Sequence, residues 1–74
     1  MKTVLQNFID SLTITKSQLA KDLEINQSII SNDLKSANSL KMTFKYAKKL
    51  GMEELEFKGI EHGMYIEGKA KIKI

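Results

Sequence analysis

The chain has 74 residues, twelve lysines against nine aspartates and glutamates, and a net charge of +3. It holds no cysteine and one histidine, which excludes disulfides and zinc-finger spacing. A core this small is marginal unless a partner subunit helps, so a homodimer is expected.

No apolar run approaches the roughly 20 residues of a membrane span. The N-terminus leads into an amphipathic pattern and not a signal peptide, so a cytoplasmic protein is expected. There is no internal repeat and no low-complexity segment. Residues 1–74 read as a single domain.

In chain order, Val4, Leu5, Phe8, Ile9 and Leu12 fall on one face of a helix over residues 3–12. Thr3 with Gln6 fits a capping box, and so does Thr15 with Gln18. Leu19, Ala20 and Leu23 define a second helix, 16–23. Glu24-Ile25-Asn26 interrupts it, and Asn26 suits the N-cap of a third helix, 27–35. Ile30 and Leu34 point inward there, with Ile29 at their flank. After the polar loop 36–39, Ser39 or Asn38 can cap a fourth helix, 40–50. Its stripe is Leu40, Phe44, Ala47 and Leu50, and Gly51 fits the left-handed residue that ends it.

From Met64 the period changes to two, with Met64, Ile66, Gly68, Ala70, Ile72 and Ile74 on one side. Leu55 and Phe57 alternate with Glu56 and Lys58 upstream. A two-residue loop at His62-Gly63 sets Leu55 opposite Ala70, Phe57 opposite Gly68 and Gly59 opposite Ile66. On the other face Glu54 meets Lys71, Glu56 meets Lys69 and Lys58 meets Glu67, three opposite-charge pairs. His62 must then take a positive φ. Ile72 to Ile74 overhang the hairpin and are expected to form the dimer interface, with Ile72 and Ile74 as its apolar contacts. The fold class is mainly α with a C-terminal β-hairpin.

Function is expected from residues 15–35, TKSQLAKDLEINQSIISNDLK. Two short helices meet at a tight turn, Ala20 is small where they approach, and Ile25 can plug the angle. That is helix-turn-helix spacing, in which the second helix enters the major groove. Gln27, Ser28, Ser31, Asn32 and Lys35 lie off the Ile30/Leu34 face. Gln and Asn can pair bidentately with adenine, Ser reads several bases, and Lys reaches guanine or phosphate. Asp33 is the one acid on this exposed face.

The stretch LAKDLEINQSIISNDLKS, Leu19 to Ser36, resembles the Cro and phage-repressor family of helix-turn-helix proteins. KYAKKLGM, Lys45 to Met52, is similar to its flanking helix. The resemblance covers residues 3–55, the helix-turn-helix core, and leaves the hairpin of 55–74 beyond it. It implies a four-helix domain, base contacts from Gln27, Ser28, Ser31 and Asn32, and a phosphate contact from Gln18, which would also buttress the recognition helix. Thr15, Lys16, Lys35 and Lys41 are further candidates for phosphate. It also implies a dimer on a pseudo-palindromic operator and a transcriptional repressor of phage or mobile-element type. The family usually has glycine in the turn where this chain has Glu24.

His62 is isolated in a turn, and no cluster of titratable groups suggests a catalytic site, so no enzyme activity, cofactor or metal is expected. The competing reading is a protein-interaction module on the same scaffold, such as an antirepressor or an inhibitor of a host nuclease.

Overall fold

The structure is a computed structural model and describes residues 2–72. Its elements are α1 (Val4–Ser11), α2 (Lys16–Leu23), α3 (Gln27–Leu34), α4 (Ser39–Lys49), β1 (Glu54–Glu61) and β2 (Met64–Lys71).

Thr3 and Thr15 open the first two helices. Each side-chain oxygen accepts from the backbone N–H three residues on, that of Gln6 at 3.2 Å and that of Gln18 at 3.1 Å. The reciprocal half of each expected capping box is replaced. Gln6 donates its side-chain amide to Asp10 and Gln18 donates to Asp22, at 2.8 and 2.9 Å. A carboxylate one turn along the same face outcompetes the backbone for that amide.

α1 buries Val4, Leu5, Phe8 and Ile9, and α2 buries Leu19, Ala20 and Leu23. All of these but Val4 join Ile30, Tyr46, Ala47 and Leu55 in one cluster, so α1 through α4 and β1 share a core. No helix among the described residues is long and apolar enough to cross a membrane.

α4 is rotated from the stripe its apolar residues suggest. Ser39, Thr43, Tyr46 and Ala47 are buried, whereas Leu40, Phe44 and Leu50 are half-buried. Burying hydroxyls is tolerable only when each has a partner. Here Ser39 donates to Glu61, Thr43 donates to the Ser39 carbonyl at 2.7 Å, and Tyr46 donates to Asp33. Among the described residues no buried side-chain polar atom is left without a partner.

The start of α4 is also closed differently from expectation. Asn38 occupies the N-cap but makes no side-chain capping bond. Glu61, from the end of β1, accepts from the Leu40 N–H at 2.6 Å and from the Ser39 hydroxyl at 2.7 Å. A carboxylate here satisfies a free helix donor and suits the positive end of the helix dipole.

The hairpin has the register read from sequence, Leu55 opposite Ala70 through Glu61 opposite Met64. His62 and Gly63 form its loop with φ of 50° and 79°. Glu54/Lys71, Glu56/Lys69 and Lys58/Glu67 are in register, yet none closes into a salt bridge. The hairpin is fastened to α1 through backbone contact. The Ile60 N–H donates to the Lys2 carbonyl at 3.0 Å, and Asn7 donates to the Lys58 carbonyl at 2.8 Å. Gly59 makes this approach possible, because a Cβ there would lie 2.7 Å from backbone atoms of Thr3 and Val4.

The C-terminal overhang expected from Ile72 is not formed at that residue. The Ile72 N–H donates to the Glu53 carbonyl at 2.8 Å, and its half-buried side chain packs on the chain's own core. One more ladder bond and an apolar seat beside α4 hold it within the molecule. Ile74 lies outside the described residues.

Candidate nucleic-acid interface

α2 ends in a turn that needs a left-handed residue. Glu24 supplies it, with φ 58° and ψ 41°. Its N–H donates to the Lys21 carbonyl at 3.1 Å, and the Ile25 N–H donates to the Ala20 carbonyl at 3.0 Å. These two bonds make a Schellman motif. The same pair ends α4, where Gly51 and Met52 donate to Lys48 and Ala47 at 3.1 and 3.0 Å. Glycine accepts this backbone readily, whereas a residue with a Cβ is strained there by about 1–2 kcal/mol.

Ile25 then turns into the core as the plug between the helices, half-buried. Asn26 is extended, with φ −81° and ψ 150°, and occupies the N-cap of α3 without a side-chain capping bond. The carbonyl of Asn26 accepts from Ile29 at 3.0 Å, which starts the helix.

α3 buries Ile30 alone and half-buries Leu34. At about 100° per residue, Gln27, Ser31, Lys35, Ser28 and Asn32 fan across roughly 140° on one flank. All five are exposed. Ile29 and Asp33 fall on the opposite flank. Gln27 also lines a shallow concavity of about 570 Å³ at the elbow, with Ser17, Lys21, Glu24 and Ile29 at its walls.

Asp33 is not a free acid on the polar face, which corrects the reading from sequence. It is half-buried and accepts from the Tyr46 hydroxyl at 2.6 Å. Burial, and then this bond to an acidic partner, push the Tyr46 phenol above its ordinary range. Helical phase already sets Asp33 on the flank opposite Gln27 to Lys35, and this contact turns its carboxylate toward α4. No local pattern signals a pair thirteen residues apart, so Tyr46 was missed as a positioning residue.

At the start of α2, Thr15, Lys16 and Gln18 are exposed. Thr15 is occupied as the cap, and the Gln18 amide is held by Asp22 on its own helix. A phosphate contact from that amide requires exchange of partners. Asp22 and Glu24 are exposed too, and Glu24 shares the wall of the elbow concavity with Lys21.

Lys35 follows the α3 set as the last residue of that helix's cap. Lys41 stands in the first turn of α4. It lines a groove on the outer side of α4 with Lys45 and Lys48. His62 sits at the hairpin tip, 3.2 Å from Glu61. Among the described residues no three metal-ligating side chains converge.

No protein-family model matches the chain, and comparison with curated proteins and with solved structures returns no significant match.

Proposed function

We propose that this protein binds double-stranded DNA in a sequence-dependent way and represses transcription by occupying an operator, in the manner of the Cro and phage-repressor type. The observation carrying this reading is the polar flank of α3, five exposed side chains with no acid among them, set just beyond a sharp turn. Gln27 and Asn32 have the paired donor and acceptor that adenine requires, and Ser28 and Ser31 are short enough to let the helix approach base edges. Lys16 and Lys35, with the first turn of α2 at Thr15 and Gln18, hold phosphates and fix register. The reading has no catalytic step. A pseudo-palindromic site would require a homodimer that sets two copies of α3 about 34 Å apart, in successive major grooves.

The test is duplex binding titrated across salt concentration. Asn32→Ala relaxes base preference with little change in salt dependence. Lys35→Ala weakens binding to all sequences and lowers the salt slope by about one. Wild-type binding by both variants across the salt range would end the assignment of α3. A protein-interaction role draws on a different surface, the outer side of α4.

A further inference from the structure

On the side of α4 turned from the core, Lys41, Lys45 and Lys48 recur at one-turn spacing. With Lys71 from the end of β2 they rim a groove of about 580 Å³ lined by Met42, Phe44 and Ile72. All four lysines are exposed, and none makes a salt bridge among the described residues. Phe44 is braced from below by Phe57, with ring centroids 6.3 Å apart, so the apolar floor is supported by the hairpin.

We infer that this groove docks an acidic amphipathic helix of a partner protein. Charge complementarity decides the occupant. Lys41, Lys45 and Lys48 form a ladder with a rise of about 1.5 Å per residue, which carboxylates at the same spacing on a facing helix would match. The partner's apolar side chains would enter between the lysines onto Phe44, Met42 and Ile72, as in other helix-in-groove recognition.

DNA fits the surface less well. Phosphates would meet the lysines but leave the apolar floor covered by nothing. Lys48 also stands roughly 200° around α4 from Tyr46, the residue that faces α3. A second copy docked symmetrically would set four lysines against four, a like-charge contact that opposes association.

The test uses the whole chain and a synthetic helical peptide with one Leu/Phe face flanked by Glu. Its controls are a scrambled isomer of equal composition, polyglutamate, a random duplex, and anionic phosphatidylserine vesicles. Binding is read by calorimetry and by amide shifts in a labelled protein. The amphipathic peptide binds, shifts concentrate at Met42 to Lys48 and at Ile72, and Lys45→Glu with Lys48→Glu weakens it at least tenfold. The same double variant keeps its thermal midpoint, and the charge-neutral Ile72→Ser keeps its affinity for duplex DNA within twofold. Ile72→Ser weakens the peptide while leaving polyglutamate unchanged.

Equal binding of the scrambled peptide and polyglutamate overturns the proposal, since charge alone would then suffice. So does competition by duplex DNA at this groove, preferential capture by vesicles, or shifts at Phe44 that track protein concentration instead of added peptide. The proposal stands apart from the DNA-binding reading: failure of α3 to bind duplex leaves the peptide result unaltered, and the reverse holds.

Discussion

The outer flank of α3 and the outer side of α4 are both exposed and both carry lysine without a neighbouring acid in the set, but they are built differently. α3 offers short neutral groups that hydrogen-bond, with a single lysine, and its only acid lies on the opposite flank, bonded to Tyr46. α4 offers point charges around an apolar floor. Net positive charge therefore does not separate the two surfaces. What separates them is whether the space between charges holds donors and acceptors or hydrocarbon.

The largest effect comes from reversing this character. Ser31→Glu puts a carboxylate in the acid-free flank and lowers duplex affinity at least a hundredfold, about 2.8 kcal/mol at 1.4 kcal/mol per decade. Lys48→Glu, a larger change in charge, alters duplex affinity less than twofold. Fluorescence anisotropy on one duplex at one salt concentration measures both. Equal losses would erase the distinction between the helices.

How much of this could be read from sequence depends on where the partners sit. The hairpin register was legible because large residues oppose small ones and charges alternate, so a one-residue slip exposes the wrong face. The left-handed His62 followed from the two-residue loop, whereas Glu24 stood out only against the glycine usual in the family the segment resembles. The α3 flank followed from helical period alone. The burial of α4 did not, because Thr43, Ser39 and Tyr46 become core residues only through their hydrogen bonds. Nor did the cap on Leu40, which arrives from Glu61 twenty-one residues away. The overhang at Ile72 was misread because alternation does not say where a strand's last residue packs.

The next effect probes the link between the two helices. Tyr46→Phe removes the donor to Asp33 and costs about 1.5–3 kcal/mol in denaturant unfolding, the range for a hydrogen bond to a charged group. An alkaline titration sharpens this. Tyr46 ionises less readily in the folded chain than in the unfolded one, whose phenols titrate near pH 10. Its contribution to stability is complete below about pH 10 and declines as pH rises beyond it. Urea midpoints measured through that range fall in the wild type and fall less in Tyr46→Phe. Identical profiles would remove the clamp from the account.

The smallest effect compares the two helix ends. Glu24→Gly relieves the left-handed residue after α2 and raises stability by up to about 1 kcal/mol. Gly51→Ala, where a Cβ meets nothing within 4 Å but φ is 76°, lowers it by about the same amount. Thermal melts of the pair report the sign. Changes of equal sign would show that backbone conformation does not govern these turns.

The central claim is that α3 reads base sequence, and selection from a random duplex pool tests it most directly. The account predicts enrichment of a short motif repeated with two-fold symmetry, its half-sites centred one helical turn apart, and loss of preference at one position in Asn32→Ala. A selected pool indistinguishable from the input would contradict it.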